Sequence, residues 1–371
     1  MVGGGQLGRM LAEAAAPLGA ELLTLDPTPD APAALVSRDQ LVADFDDEDA
    51  VFNLAERSDY LTYEIELADP DLLERAAAET GTPVHPTPGT LRTIQDKLTQ
   101  NRRLRDAGIP VPEFRPVESE ADLQAALDEL GPVMLKAREG GYDGRGNVPV
   151  ESPEEAADAL AEIAGPAMAE EFVEFDRELA VVGVRGEDGV ETYPVTETIH
   201  REEILRESVT PARAGDGVAD RARAVVRDVL DLLDGRGVFA VELFQAGEEV
   251  LVNEIAPRPH NSGHWTIEGA VTSQFENHVR AVTGRPLGST ELRAPAVTTN
   301  LLGDVSEPTE ARLAGADEIL STPCAHLHWY GKREVRPLRK MGHVTLTREW
   351  DDTESLLAEA RRLRDSVTFR S

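Results

Sequence analysis

Cysteine is almost absent from this chain of 371 residues: Cys324 is the only one. It can form neither an internal disulfide nor a cysteine-based metal cluster, so a reducing cytoplasm is the expected compartment. Long apolar runs are missing too. No stretch approaches the ~18 consecutive apolar residues of a transmembrane helix, and a charged fraction of 29% argues against a membrane protein. Positive charge is scarce: 37 Lys+Arg face 69 Asp+Glu, a formal net charge of −32. That field repels nucleic acid and anionic lipid, which excludes both as main partners. Lysine is scarcest of all, with only Lys97, Lys136, Lys332 and Lys340. Self-repulsion on this scale destabilises a compact state unless salt screens it, so the chain is expected to be halophilic, working in a salt-rich cytoplasm. Each surviving lysine becomes worth inspecting.

A hydrophobic fraction of 41% rules out wholesale disorder, and the length allows two or three packed domains. Residues 1–95 alternate strand-like runs (Glu21–Leu25, Tyr60–Tyr63) with helical ones (Gly8–Ala16, Pro70–Thr80), the pattern of a parallel α/β sheet. Only Met1 and Val2 precede the first glycine turn, fewer than an ordinary strand needs, so the first strand is expected to be truncated. A helix is expected over Thr90–Ala107. Strands and alanine-rich helices then alternate through residues 114–175, with strands at Val133–Ala137 and Ala167–Val173. From Glu178 strands dominate: Leu179–Val184, Val190–Thr198, Val238–Gln245, Val250–Ile255, Val297–Leu302, Ala325–Tyr330 and His343–Thr347. Helices are expected near Val218–Leu233, Gln274–Thr283 and before Arg364. No internal repeat or low-complexity linker separates these parts, so close packing is expected.

Several motifs carry chemistry. Gly3-Gly4-Gly5-Gln6-Leu7-Gly8 fits G-x-G-x-x-G, and Asp26 after the second strand has the place of a ribose-binding acid. A lone fingerprint of this kind is equally a tight strand–helix turn. The stretch from Gly140 to Gly146 (GGYDGRG) sets an aromatic, an acid and a base among four glycines, just past the Lys136 strand. It reads as a phosphate cover, or simply as a surface loop; no Walker A sequence occurs. Glu242 and Glu254 flank the turn at Gly247, and folding a hairpin there brings them within one residue of directly opposite. Two carboxylates so placed, beside Asn253, suit Mg²⁺ held jointly with substrate phosphates. The run from Ile255 to Trp265 (IAPRPHNSGHW) is too rich in polar side chains for packing alone. In the tail, HLHWYGK and RPLRKMGH, with Arg333 between them, gather two of the four lysines and three arginines, an anion pocket by charge or else a solvated hairpin face. His326 and His328 have no third ligand at a zinc spacing.

Together GGGQLGRML, GGYDGRG, NEIAPRPHNSGHW, HLHWYGK and RPLRKMGH resemble the 5-(carboxyamino)imidazole ribonucleotide synthases of the ATP-grasp superfamily, over nearly the whole chain. Trp329 and Leu338 are variants inside otherwise matching motifs. The resemblance implies an ATP-grasp fold of mixed α/β and α+β class. Its divisions would be a Rossmann-like pre-ATP-grasp domain over 1–95, an ATP-grasp domain over 96–290 (small subdomain about 114–175) and a small C-terminal domain over 291–371. It implies the reaction of ATP, bicarbonate and 5-aminoimidazole ribonucleotide to the N-carboxylated ribonucleotide, ADP and phosphate, via carboxyphosphate, in de novo purine biosynthesis. It assigns Lys97, Lys136 and Asn253 to the ATP site, Glu170, Glu171, Phe172 and Val173 to the adenine hinge, and Glu178 to the ribose. Glu242 and Glu254 would hold Mg²⁺, or Mn²⁺ in its place. Arg258, His260 and Asn261 would surround bicarbonate. Gln6, Glu64, Tyr142, Asp143, Arg145, Lys332 and Arg339 would surround the ribonucleotide, with the glycine-rich loop as a lid and Asp143 as acceptor of the amine proton. A homodimer is expected. Three alternatives stay open: a sibling such as the formate-using glycinamide ribonucleotide transformylase, a dinucleotide-dependent oxidoreductase, and a non-catalytic nucleotide sensor.

Overall fold

A computed structural model describes residues 1–140, 146–349 and 352–369. Among them no helix is long and apolar enough to cross a membrane. The N-terminal part is a small parallel sheet. Leu23–Leu25 pairs with Asp39–Leu41, Val2 bridges both Leu25 and Tyr63, and Leu61 bridges Val84, all in parallel. The expected strand at Tyr60–Tyr63 is therefore a pair of single bridges. Val2, Leu25, Leu54, Leu61, Tyr63 and Leu73 form the core beneath helices Glu48–Glu56 and Pro70–Thr80. The second of these helices runs over the expected residues because each end carries its own signal. Asp69 caps the first N–H groups, Pro70 opens the helix, and Gly81 closes it at φ 78°.

The helix expected over Thr90–Ala107 is two helices, Pro88–Gln95 and Lys97–Asp106. Asp96 breaks it: with φ −98° and ψ 101° it leaves the helical region, and its carboxylate accepts from the N–H groups of Leu98 and Thr99. That carboxylate also pairs with the Arg138 guanidinium. The break puts Lys97 at the first position of the second helix.

Two larger sheets carry most of the rest. A four-stranded antiparallel sheet, in the order Phe114–Val117, Ala167–Glu171, Val133–Ala137, Asn147–Val150, packs on helices Glu120–Leu130 and Ala156–Ile163. A nine-stranded sheet runs from Glu249–Ala256 through Gly237–Ala246, Arg177–Arg185, Thr196–Arg201, Ile204–Thr210, Ala296–Leu302 and Lys340–Thr347 to Ala325–Trp329. Its remaining strand, Val190–Thr192, pairs with Arg177–Arg185. The single strand expected over Val190–Thr198 is thus two, parted at Tyr193-Pro194-Val195, where proline offers no N–H to a ladder. Of the strands after residue 290, Ala296–Leu302, Ala325–Trp329 and Lys340–Thr347 continue this sheet, while Thr309–Glu310 pairs with Glu334–Val335 and Leu313–Ala314 with Thr368–Phe369. One face is apolar: Val181, Leu243, Val252 and Ile255 pack under helix Asp216–Leu232, and Val209, Val297, Val344 and Leu346 under helix Thr353–Asp365. The other face packs Val182, Val184, Val238, Ala240 and Trp265 beside helix Gln274–Val282 and, away from it, carries the polar residues.

Candidate active site

The hairpin at Gly247 sets the site. From Ala246 opposite Glu249 to Leu243 opposite Val252 the register is regular; it then shifts, so that Glu242 faces Glu254. The extra residue is Asn253, and this bulge turns the near-opposition expected of the acids into a direct one. Directly opposed residues share a face. On the next strand Glu242 faces Ala180, Glu178 lies two residues along, and Glu178 faces Thr198, two residues before His200. Glu242, Glu254, Glu178 and His200 therefore stand on one polar face.

Charges of both signs converge there. Lys97 Nζ donates to Glu254 Oε1 at 3.2 Å. Burial works against the Glu254 charge, but Lys97, with Lys136 and Arg258 behind it, holds the carboxyl below its usual range. Glu242 goes the other way, pushed up to about 7 by burial and by the like charges of Glu254 and Glu178, against the opposing fields of His200 and Lys340. Lys136, almost fully buried, donates to Glu170 and, at 3.2 Å, to Asn253 Oδ1. It thereby ties the four-stranded sheet to the hairpin. Asn101 Nδ2 donates to the second Glu170 oxygen at 3.3 Å. Phe172, the residue after strand Ala167–Glu171, is 55% exposed. Glu171, by contrast, is spent on structure: its carboxylate accepts from the Glu113 N–H at 2.9 Å, and its own N–H donates to the Glu113 carbonyl.

The opening glycine loop faces the same region. Glu64 is buried and accepts from the Gly5 N–H at 2.5 Å. A Cβ on Gly3 would lie 2.6 Å from Glu64 Cγ, so glycine is required by this carboxylate as well as by φ 94°. Burial, with Asp26 adding to it, pushes Glu64 up to about 7, against the Gly5 N–H, Arg258 and Lys332. Asp26, which a dinucleotide site would turn toward a ribose, is occupied by its own loop, accepting from Gly4 N–H at 2.9 Å and Thr28 N–H at 2.8 Å. Gln6 begins the helix Gln6–Ala15 that follows. Arg258 pairs with Glu66, Nη2 donating to Oε2 at 2.9 Å and Nε lying 2.8 Å from Oε1 without a hydrogen bond to it. His260 is clamped by Gln274, whose amide both accepts from its N–H and donates to its carbonyl, and His260 Nδ1 lies 3.9 Å from Glu242 Oε1. Asn261 is buried beside it. In the tail, Lys332 Nζ donates to the Lys340 carbonyl at 2.6 Å and stands 5.6 Å over the Tyr330 ring. Arg339 lies within the tail itself, Nη1 donating to the Glu334 carbonyl at 2.7 Å. Val173 follows the hinge strand. Tyr142, Asp143 and Arg145 lie outside the described residues.

Two residues of this site went unread in the sequence. His200 Nδ1 is 2.9 Å from Glu178 Oε2; burial alone would depress its pKa, but Glu178 and Glu242 together raise it. Glu66 is the partner of Arg258; its one local signal is its place two residues after Glu64 on the same segment.

Residues 1–95 match the ribonucleotide synthetase preATP-grasp domain, residues 102–275 the ATP-grasp domain, and residues 296–358 the phosphoribosylaminoimidazole carboxylase C-terminal domain. The N5-carboxyaminoimidazole ribonucleotide synthase of Brucella melitensis is 43% identical over 351 residues, covering 93% of this chain and 94% of that protein. The chain belongs to the N5-carboxyaminoimidazole ribonucleotide synthase family. The Bacillus subtilis member of this family is 39% identical over 362 residues, covering 95% of this chain and 92% of its own. Among solved synthases, that of Thermotoga maritima superposes with a TM-score of 0.90 at 42% identity, covering 100% of this chain and 98% of its own. The Aspergillus clavatus synthase, in complex with ADP and 5-aminoimidazole ribonucleotide, superposes with a TM-score of 0.89 at 35% identity, covering 98% and 97%. The fold read from the motifs, ATP-grasp with its preATP-grasp and C-terminal domains, is the fold of this family.

Proposed function

We propose that this chain carries out the reaction its relatives are named for: ATP-dependent carboxylation of 5-aminoimidazole ribonucleotide with bicarbonate, giving N5-carboxyaminoimidazole ribonucleotide, ADP and phosphate in purine biosynthesis. The observation that carries the reading is the convergence of Lys97, Lys136 and Arg258 on a bulged hairpin whose two glutamates directly oppose each other. Bicarbonate is a poor electrophile, and phosphorylation to carboxyphosphate activates it. That transfer is largely positioning and charge neutralisation. Lys136 and Lys97 receive the ATP phosphates. Phe172 and the neighbouring hinge, Glu170 to Val173, hold adenine, and Glu178, steadied by His200, holds the ribose. Arg258, His260 and Asn261 bind bicarbonate, Arg258 oriented by Glu66. Gln6, Glu64, Lys332 and Arg339, with Tyr142, Asp143 and Arg145, take the aminoimidazole ribonucleotide.

Glu242 and Glu254 suit a divalent cation. Two facing carboxylates, one of them pushed up to about 7 by burial and its neighbours' charge, ionise together when a cation stands between them. Among the described residues no cluster of three or more acid, His or Cys ligands forms, which fits Mg²⁺ bound by two carboxylates and substrate phosphates rather than a dedicated cage. When bound, the ion would neutralise charge on the transferring phosphoryl group. For these roles we divide the chain at about residues 95 and 290, and we expect a cytoplasmic homodimer.

The test is ADP release measured with and without the ribonucleotide and bicarbonate; turnover is expected only with both. Arg339→Ala should raise KM for the ribonucleotide on the order of tenfold to a hundredfold, the worth of one charge-assisted contact, and change KM for ATP less. Weakening of ATP alone would reject this assignment of the tail. The acidic surface supports a halophilic reading: with a net charge of −32, the thermal midpoint should climb from dilute to molar KCl. A level midpoint would reject it.

A further inference from the structure

The polar face of the large sheet continues beyond the catalytic acids. Thr198 faces Ser208, Ser208 faces Thr298, Asn300 lies two residues along, Asn300 faces His343, and His343 faces His328. His264, three residues past Asn261, stacks on the His343 ring at 4.6 Å between centroids. The short 3₁₀ turn Asn261–Gly263 packs over strands Arg177–Arg185, Thr196–Arg201 and Ile204–Thr210 on this face. Asn261, Thr198, Ser208, Asn300, His343 and His264 are all at most 6% exposed.

Among the described residues these six hold unpartnered polar atoms: both ends of the Asn261 amide, the hydroxyls of Thr198 and Ser208, Asn300 Oδ1, His343 Nε2 and both nitrogens of His264. The fold satisfies some comparable groups nearby, although Trp265 Nε1 and Glu268 Oε2 are unpartnered as well. Thr196 and Thr210 hydroxyls bond each other at 2.7 Å, Thr298 and Thr345 at 2.9 Å. Buried His278 uses both nitrogens, Nδ1 accepting from the Val238 N–H and Nε2 meeting Thr62. An unpaired buried polar atom is costly, and six neighbouring residues with such atoms call for partners of their own. Ordered water needs two to four polar partners, which donors and acceptors in this arrangement supply. Burial holds His264 and His343 neutral; His264 presents one donor and one acceptor, while His343, whose Nδ1 meets the Tyr330 hydroxyl at 2.8 Å, presents Nε2 alone.

We infer that the sheet face beneath Asn261 is a buried water-binding site, in which ordered water joins the Thr198 and Ser208 hydroxyls to the Asn261 amide and onward to Asn300, His343 and His264. The site fixes the Asn261 amide from below. That consequence rests on the assignment of Asn261 to bicarbonate; the hydration itself does not.

Thr198→Val and Ser208→Ala, made in the full chain, test both parts. Removing a hydroxyl that binds water loses a hydrogen bond, so each variant should lower the thermal midpoint. Removing a dry, unpaired hydroxyl relieves a penalty, so a midpoint that rises or stays level in both variants overturns the inference. The same variants should raise KM for bicarbonate roughly three- to tenfold, and Ser208→Ala, which does not face Glu178, should leave KM for ATP unchanged. A lowered midpoint with KM for bicarbonate unmoved overturns the link to Asn261. If the unmodified protein shows no bicarbonate-dependent turnover, the proposed function fails, and the thermal comparison still decides the hydration.

Discussion

Glu254→Gln is expected to lower kcat for ADP formation on the order of a hundredfold or more, with KM for the ribonucleotide little changed. The substitution keeps the shape of the side chain and removes the charge. Glu254 matters twice in the site: it faces Glu242 across the bulge, and it accepts from Lys97. On the proposed site map, losing its charge would deprive Mg²⁺ of one of two carboxylates and leave Lys97 without its counter-ion where the phosphates are proposed to lie. Both effects fall on the transferring phosphoryl group, so they belong in kcat rather than in ribonucleotide binding. Glu254→Asp should recover part of the loss, because the charge returns at a shorter reach. Steady-state ADP release at saturating ATP, with Mg²⁺ varied, checks this. A variant restored to full kcat by higher Mg²⁺ would mean that Glu254 affects metal affinity alone.

The local parts of this site were legible in the sequence, and the parts made by distant pairing were not. Hairpin arithmetic about Gly247 placed Glu242 and Glu254 one residue from opposition; the bulge at Asn253 closed the gap, and nothing in the apolar pattern announces a bulge. The helix at Pro70–Thr80 was readable because Asp69, Pro70 and Gly81 mark its ends in sequence. The break at Asp96 was missed since the apolar periodicity runs on through it. Only its N-cap bonds and its pairing with Arg138 show why the chain turns there. His200 and Glu66 were invisible for another reason. Glu178 meets His200 only because Thr196–Arg201 pairs beside Arg177–Arg185, and Glu66 meets Arg258 across 192 residues of chain. Motif resemblance carried family membership and fold correctly, and it is the sole ground on which Lys332 and Arg339, which no spacing rule selects, are proposed for the site.

Lys136→Met should separate stability from catalysis when it is paired with a second change. Lys136 and Glu170 are 9% and 4% exposed at their side chains, so the pair is nearly dry. Taking away the lysine strands the carboxylate with Asn101 Nδ2 as its remaining side-chain donor and breaks the link to Asn253 across the two sheets. Breaking a buried ion pair from one side costs ~3–5 kcal/mol. The single variant should therefore unfold at distinctly lower urea and lose ATP turnover together. Adding Glu170→Gln removes the stranded charge, since an amide can accept from Asn101 and needs no cation. The double variant should regain most of the lost stability, because replacing both members of a buried pair is often close to neutral. Turnover should not return with it. The ammonium proposed to meet the phosphates would still be missing, and no neutral side chain supplies that charge at the transition state. Urea midpoints and ADP release on the two proteins make the comparison. If the double variant recovers turnover in step with stability, Lys136 serves the fold alone, and the phosphate site must lie with Lys97 and Arg258 instead.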